Sequence, residues 1–197
     1  MNKRLVLATL LALAACGRAA EPLRPPLEGA RIGGPFALVN QDGRPTTDRS
    51  FAGRYRLMYF GYTFCPDVCP VDMANVGSGL KLLEKREPAL AGRVVPVFVT
   101  VDPARDTPAV LREFVANFHP RMVGLTGTPE RIAAVEKAYG VYAARGETSA
   151  GGGYLMDHTR QVFLMDPDGK PLALVPAERG PEAVADEVAK WVGEPAA

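Results

Sequence analysis

Short, continuous runs of apolar residues alternate along the chain with stretches of helical periodicity. The continuous runs are typical of strands buried on both faces, and they cover residues 55–62, 94–101, 122–125, 162–165 and 171–175. The last two flank Asp-Pro-Asp-Gly, which predicts a tight hairpin turn. Another hairpin is predicted near the start, where residues 36–39 are followed by Asn-Gln-Asp-Gly.

Proline predicts where the helices begin, because a residue without a backbone N–H is favoured in the first helical turn. Four prolines introduce helical stretches, which we expect over residues 70–85, 108–118, 129–139 and 181–192. Strands and helices that alternate and then close on a hairpin and a helix predict an α/β, thioredoxin-like fold with an N-terminal hairpin extension. Residues 143–153 match neither pattern and contain four glycines, so we expect a flexible loop there. Because it leads to His158, this loop is a candidate lid.

The first fifteen residues have the pattern of an export signal. Lys3 and Arg4 precede an apolar stretch at 5–13 that is too short to span a bilayer as a mature helix. Residues 13–17 read Leu-Ala-Ala-Cys-Gly and resemble a bacterial lipobox, so Cys16 is predicted to be lipidated. The alternative is an ordinary cleavage site, with Cys16 removed or free. The lipoprotein interpretation places the chain, lipid-anchored, on the periplasmic side of a bacterial cell membrane.

Length and composition indicate one domain. The chain has 197 residues, of which 47% are hydrophobic, enough to bury a core without disulfide staples. Residues 1–15 are the predicted signal peptide, 16–31 a lipidated, proline-rich tether, 32–192 the domain and 193–197 a tail. With 23 basic and 22 acidic residues the formal net charge is +1, which gives no support for a nucleic-acid-binding surface.

Cys65 and Cys69 follow the first buried strand in the sequence Cys-Pro-Asp-Val-Cys-Pro. Because the chain has only three cysteines, a pair at this spacing indicates a disulfide or a soft-metal site rather than packing. If Pro70 begins the helix, Cys69 is its N-cap, where backbone N–H groups and the helix dipole stabilise a thiolate. In an oxidising compartment the pair either rests as a Cys65–Cys69 disulfide or is kept reduced by another protein.

Two thiolates favour Cu(I) or zinc among the first-row ions, and a third ligand is then needed. The chain has two histidines. His119 comes just after a predicted helix, so we expect it to cap that helix or to interact with its dipole. His158 comes at the start of the terminal hairpin, which lies next to the thiol loop in a thioredoxin-like sheet. His158 is therefore the candidate third ligand.

The polar side chains near these residues each have two interpretations. Asp157 could orient the neighbouring imidazole from outside the ligand set, or be a solvated acid. Met156 is a soft ligand by its chemistry, but strand alternation favours a place in the core. Asp102, Arg105 and Asp106 follow the end of a strand, where open α/β sheets place their sites. They could dock a partner, or pair with one another and cap the next helix.

Four segments together resemble the Sco/SenC family of copper chaperones. Residues 60–70 read Phe-Gly-Tyr-Thr-Phe-Cys-Pro-Asp-Val-Cys-Pro, and residues 101–108 read Val-Asp-Pro-Ala-Arg-Asp-Thr-Pro. Residues 124–128 read Gly-Leu-Thr-Gly-Thr, and residues 154–159 read Tyr-Leu-Met-Asp-His-Thr. The resemblance covers nearly all of the predicted domain in the right order, without a departure at the family's ligand positions.

The resemblance implies a thioredoxin-like fold, a membrane anchor, and copper, as Cu(I) or Cu(II), bound by Cys65, Cys69 and His158. It also implies a role in assembling the copper A centre of cytochrome c oxidase, with subunit II or another cuproprotein as the recipient. A copper donor and a thioredoxin-like reductant are further expected partners. This role is binding and transfer rather than enzymatic turnover.

Other activities compete with this one. A thiol–disulfide reductase that keeps the cysteines of the copper A site reduced would attack with Cys65 and resolve the mixed disulfide with Cys69. The three-residue spacing counts against a general oxidoreductase, as does the lack of a proline between Pro129 and Pro167. A thiol peroxidase would need Pro-x-x-x-Thr-x-x-Cys, which neither cysteine satisfies, and a closed structural zinc site would need a fourth ligand.

Overall fold

Two adjacent parallel strands, β3 (Tyr55–Gly61) and β4 (Val94–Thr100), are buried along their whole length. They lie inside a seven-stranded sheet in a computed structural model that describes residues 23–148 and 151–193. The other strands are β1 (Ala37–Asn40), β2 (Pro45–Thr47), β5 (Val123–Thr126), β6 (Ala143–Thr148), β7 (Tyr154–His158), β8 (Val162–Met165) and β9 (Pro171–Val175). The strand order of the sheet is β2-β1-β5-β4-β3-β8-β9, and β6 and β7 form a separate two-stranded ribbon.

The helices of the described residues are α1 (Val68–Arg86), α2 (Pro88–Ala91), α3 (Pro108–Ala116), α4 (Pro129–Tyr139) and α5 (Pro181–Val192), with short 3₁₀ turns at Asp48–Phe51 and Ala177–Arg179. Three helical starts predicted from proline are confirmed, for α3, α4 and α5. Thr107 and Thr128 precede two of them, and each side-chain oxygen accepts a backbone N–H of the first turn at 3.4 Å.

The helix that follows the cysteine loop, α1, packs closely against α5. Gly79 lies at their contact, where a Cβ atom would be 2.6 Å from Cγ1 of Val184 and 2.8 Å from the carbonyl oxygen of Pro181. A larger side chain would therefore push the two helices apart. This close packing fixes α1, and with it the position of the thiol loop.

The predicted N-terminal hairpin is confirmed. β1 pairs with β2 in antiparallel register, with Leu38 opposite Thr46, and β1 also pairs with β5. The hairpin thus extends the sheet beyond β5. Before it, the N–H of Leu27 donates to the carbonyl oxygen of Leu172 at 3.0 Å, so the leading segment contacts β9. The predicted signal peptide and Cys16 lie outside the described residues, as do the last four residues of the predicted tail.

The prediction of a flexible loop over residues 143–153 was wrong for its first part. Residues Ala143–Thr148 form β6, which pairs antiparallel with β7 so that Ala143 lies opposite His158. The prediction that His158 enters the terminal hairpin was also wrong, since that hairpin is β8–β9 and His158 ends the ribbon before it. The ribbon is largely exposed, so its sequence lacks the apolar runs by which the buried strands were predicted. Among the described residues, no helix combines the length and apolar character needed to cross a membrane.

Candidate metal centre

Three side chains with metal-binding atoms meet beyond the carboxyl end of β3. Cys65 lies in the loop after β3, Cys69 in the first turn of α1, and His158 at the end of β7. Their ligand atoms all lie within 4.8 Å of one another, and Sγ of Cys69 is 3.3 Å from Nε2 of His158. The structure thus brings together the three residues that the sequence singled out.

The helix that carries Cys69 begins earlier than predicted. α1 starts at Val68 with Asp67 as its N-cap, so the prediction of Cys69 as N-cap was wrong and Pro70 is the third helical residue. Proline is tolerated throughout the first turn, because N–H groups there have no partner within the helix. The N–H of Cys69 points instead to Sγ of Cys65, at 3.5 Å.

The two thiols differ in exposure and acidity. Cys65 is partly exposed, whereas Cys69 is buried. Partial burial opposes ionisation of Cys65, but the backbone N–H groups at the start of α1 outweigh it, so the pKa of Cys65 lies below its ordinary value. Burial raises the pKa of Cys69 to about 12, and the neighbouring Cys65 adds to the rise. The start of the helix therefore activates Cys65 rather than Cys69.

His158 presents an unprotonated Nε2 to the thiols. Its Nδ1 atom lies 3.1 Å from the carbonyl oxygen of Thr159. Because a carbonyl oxygen can only accept, the ring proton lies on Nδ1 and the lone pair of Nε2 faces Cys69. Burial lowers the pKa of His158, which favours this neutral ring. The rings of Tyr59 and Tyr62 stand almost perpendicular to the imidazole, with centroids 6.2 and 5.8 Å away.

Of the two interpretations of Asp157, the orienting role is wrong, because the carbonyl of Thr159 makes that hydrogen bond, and the solvated acid is the one that the structure bears out. Successive side chains of a strand face opposite sides, and along β7 this leaves Asp157 exposed while His158 is half-buried. Met156 shares the half-buried side and packs against the core, as strand alternation predicted.

Asp102 and Arg105 pair with each other, which confirms one of their two interpretations. Nε of Arg105 lies 2.5 Å from Oδ2 of Asp102, and its guanidinium stacks 3.6 Å from the ring centroid of Tyr154. The hydroxyl of Tyr154 donates to Asp102 at 2.9 Å. These contacts hold the start of β7 beside the loop after β4. The cap of α3 comes from Thr107 instead.

Asp106 anchors the segment that leads to the first cysteine. Its buried carboxylate accepts the N–H and the hydroxyl of Thr63, at 3.0 and 2.6 Å, and the hydroxyl of Thr100 at 2.6 Å. Burial raises the pKa of Asp106, against the effect of these hydrogen bonds. Because Thr63 lies two residues before Cys65, Asp106 ties the thiol loop to the end of β4.

A partly buried ion pair beside the site was missed in the sequence. Arg160 donates two hydrogen bonds of 2.6 Å to Asp72, and the hydroxyl of Tyr59 donates a third at 3.1 Å. Asp72 gave a weak signal, because it lies next to the buried face of α1 formed by Met73 and Val76, and a buried acid needs a partner. That partner lies 88 residues away, beyond the reach of any local pattern.

His119 lies apart from the metal-binding cluster. It is 2% exposed, its Nδ1 accepts the N–H of Arg121 at 3.2 Å, and its Nε2 lies 3.3 Å from the carboxylate of Glu84. The expectation that it caps the preceding helix was wrong, since the C-cap of α3 is Asn117. His119 is a buried polar side chain held by its own turn and by α1.

Two sulfurs and one imidazole nitrogen suit a soft or borderline ion such as Cu(I), Cu(II) or zinc. The donor chemistry of Cys65, Cys69 and His158 therefore fits copper. Neither cysteine is in a disulfide in the structure, so both sulfurs can bind a metal ion as thiolates. The Cys65–Cys69 disulfide stays a prediction.

Comparison with known proteins identifies relatives of this chain. A family model described as SCO1/SenC matches residues 24–193. Protein SenC from Rhodobacter capsulatus is 45% identical over 162 residues, covering 81% of this chain and 70% of SenC. Mitochondrial relatives are longer, and the match spans only 40% of SCO1 homolog 1 from Arabidopsis thaliana.

Solved structures agree in fold. Copper-bound ScoI from Bradyrhizobium japonicum superposes with a TM-score of 0.73 at 40% identity, over 81% of this chain and 99% of that one. BsSco, described with a disulfide switch and as a member of the Sco family of cytochrome c oxidase assembly proteins, gives a TM-score of 0.63 at 26% identity, over 83% and 93%. The thioredoxin domain of a thiol–disulfide oxidoreductase from Bacteroides vulgatus gives 0.57 at 16% identity, over 82% and 95%, which shows the fold alone. The predicted thioredoxin-like fold is confirmed, and the chain belongs to the SCO1/SenC family.

Proposed function

We propose that this protein is a copper metallochaperone that holds copper through Cys65, Cys69 and His158 and delivers it to the copper A centre of cytochrome c oxidase during assembly. The observation that carries the proposal is the set of two sulfurs and an unprotonated Nε2 within 4.8 Å of one another. Copper in the homologous ScoI and the assembly role of the BsSco family support it.

Transfer requires that a partner can reach the ion. Cys65 is partly exposed, and Phe64 beside it is 51% exposed, so this side of the site is open to an incoming ligand. A partner thiol can lose its proton, bind the copper and displace one chain ligand, which then takes up a proton. Such ligand exchange needs no change in the oxidation state of the metal.

The proposal is tested on the full chain, purified in detergent and reduced without oxygen. Titration with Cu(I) against a competing chelator should give one ion per chain. X-ray absorption at the copper edge should show two sulfur neighbours and one nitrogen neighbour. A stoichiometry well below one, or a site with sulfur neighbours alone, would contradict the three-ligand chaperone.

The second candidate function is thiol–disulfide reduction of the cysteines of the copper A site or of another partner. The opposite pKa shifts of the partly exposed Cys65 and the buried Cys69 favour it, because they distinguish an attacking thiol from a resolving one. The Cys65 thiolate would attack the partner's disulfide, forming a mixed disulfide and releasing one partner thiolate. Cys69, on losing its proton, would then attack the sulfur of Cys65 in the mixed disulfide and release the second partner thiolate. The partner is thereby reduced, and Cys65 and Cys69 are oxidised to a disulfide.

The two functions differ in what they require of His158. A reductase should keep its rate of disulfide exchange when His158 is replaced by alanine, and Cys69→Ala should trap a mixed disulfide with the partner. Failure of Cys69→Ala to trap any partner would count against the reductase. Loss of copper binding in His158→Ala without loss of exchange would assign the imidazole to the chaperone.

We further propose that the chain is anchored on the periplasmic side of the membrane through a lipid on Cys16. The lipobox-like sequence before Cys16 supports this. Cys16→Ser should move the protein from the membrane fraction to the soluble fraction after export, or leave it attached by an uncleaved signal. The lipid anchor would be excluded if Cys16→Ser differed from the wild type in mass only by the substitution itself and stayed attached to the membrane as the wild type does.

A further inference from the structure

The segment that carries His158 is tied by an ion pair to the helix that carries Cys69. Arg160, two residues after His158, donates two hydrogen bonds of 2.6 Å to Asp72. Asp72 lies three residues after Cys69, so the two share one side of α1. Each of the two ligands therefore lies close in sequence to one member of the ion pair, and the pair joins the two segments across the site.

The geometry makes this pair stronger than an ordinary surface ion pair. The side chain of Asp72 is only 2% exposed, while that of Arg160 is 40% exposed. A two-point hydrogen bond between guanidinium and carboxylate restricts orientation as well as distance. Without Arg160, the buried carboxylate would keep only the hydroxyl of Tyr59, so the structure has a strong preference for the paired state.

Other contacts of this segment lie before His158 and beyond Arg160. Arg105 and Asp102 hold the start of β7 at Tyr154, and Val162 pairs with Tyr59 in the sheet. The β6–β7 ribbon does not pair with the central sheet, so the sheet ladder does not fix the position of the imidazole. A cavity of about 260 Å³ adjoins the pair and is lined in part by Tyr59, Asp72 and Arg160. Apolar packing therefore does not fill this side of the junction, where the ion pair forms part of the cavity wall.

Asp72 also acts on the imidazole by a second route. It accepts the hydroxyl of Tyr59, whose ring stands almost perpendicular to the ring of His158 at 6.2 Å. The carboxylate of Asp72 thus contacts both Arg160, in the chain after His158, and Tyr59, whose ring lies beside the imidazole.

We propose that Asp72 and Arg160 are positioning residues that hold the imidazole of His158 against Cys69 and thereby set the copper affinity of the site. The copper part of this inference rests on the proposed function. The positional part concerns the metal-free protein and can be tested by itself.

The test compares Arg160→Gln with Arg121→Gln in the full chain. Arg121 is a matched control, since it pairs with Glu84 at 2.7 Å and has a similar side-chain exposure of 34%. It also donates to the carbonyl oxygen of Val94, the first residue of β4, and so lies at the opposite end of the sheet from the site. Both variants lose a partly buried ion pair, but only Arg160→Gln releases the segment of His158.

The first measurement is hydrogen exchange in the metal-free, reduced protein. The N–H of Thr159 donates to the carbonyl oxygen of Tyr142 at 2.9 Å and reports on the segment next to His158. Arg160→Gln should speed exchange at Thr159 by about tenfold or more, with Arg121→Gln close to the wild type. Equal exchange at Thr159 in Arg160→Gln and the wild type would overturn the proposal, whatever the protein does with copper.

The second measurement is Cu(I) affinity with and without His158. Arg160→Gln should weaken binding by about 10-fold to 100-fold in the wild-type background, as residues that orient metal ligands do. In the His158→Ala background it should change affinity by less than about twofold, because the group that it positions is gone. The same loss in both backgrounds would show that Arg160 does not act through His158 and would overturn the proposal. If instead His158→Ala binds copper as well as the wild type, the proposed three-ligand site fails, while the exchange measurement still decides the role of the ion pair.

Discussion

Sγ of Cys69 and Nε2 of His158 lie 3.3 Å apart, although 89 residues separate them in the sequence. Since Nδ1 of His158 carries the ring proton, the Cys69 thiol is the donor and Nε2 the acceptor in the metal-free protein. In the metal-free protein this hydrogen bond therefore holds the Cys69 proton between two of the candidate ligand atoms, and Cys69 must lose that proton to bind a metal ion as a thiolate.

Replacing His158 by alanine should weaken Cu(I) binding by more than about tenfold, because it removes one of three ligand atoms. Competition with a Cu(I) chelator measures the change. His119→Ala is the matched control, since it removes a buried imidazole away from the cluster and should leave copper affinity within about twofold of the wild type. Equal affinities for His158→Ala and the wild type would remove the imidazole from the ligand set.

The two cysteines should react with iodoacetamide in different pH ranges. The pKa of Cys65 lies below its ordinary value, and that of Cys69 is raised to about 12. As pH rises, the thiolate of Cys65 therefore forms first, and alkylation of Cys65 should be well advanced while Cys69 is unreacted. Mass spectrometry of quenched samples measures both sites.

The control for this alkylation is the reduced protein in strong denaturant. Both thiols should there react over the same pH range, centred on the ordinary cysteine pKa of about 8.5. Alkylation of both sites in parallel in the folded protein would contradict the predicted difference.

His119 should make the protein less stable in mild acid. Burial lowers the pKa of His119, so the unfolded chain takes up a proton at higher pH than the folded one. Its contribution to the free energy of unfolding is complete above about pH 6.5 and is lost as the pH falls further. Urea unfolding at a series of pH values measures this slope.

Three charged groups act on His119, namely Glu84, Arg121 and Lys81. The pKa of Glu84 is lowered by its hydrogen bond with Arg121, so its own contribution is lost at lower pH than that of the histidine. His119→Gln should flatten the slope just below pH 6.5, with His158→Ala measured alongside to separate the other histidine. An unchanged slope in His119→Gln would contradict the assignment.

Removing the carboxylate of Asp106 should destabilise the fold by about 2–4 kcal/mol, because Asp106→Ala leaves the buried hydroxyl of Thr100 and the partly buried donors of Thr63 without an acceptor. Urea unfolding measures the loss. Asp186→Ala is the control, since Asp186 is 70% exposed in its ion pair with Arg86 and should cost less than about 0.5 kcal/mol. Equal losses in the two variants would show that Asp106 does not anchor the thiol loop.

Local patterns were enough for the buried framework. β3 and β4 are buried on both faces, so each is a continuous apolar run that can be read without knowledge of its neighbours. Three helical starts followed from proline for the same local reason. The exposed ribbon of β6 carries no such run, and β6 was therefore mistaken for a loop.

The sequence by itself determined which atoms can bind a metal. Cys65 and Cys69 are the two cysteines of the predicted domain, and His158 is the one of its two histidines that was expected beside them. Only the tertiary structure decided which thiol is acidic, which ring nitrogen is free and what holds the imidazole in place. Those properties depend on burial and on hydrogen bonds between segments far apart in the chain, such as Arg160 with Asp72, and no local periodicity encodes them.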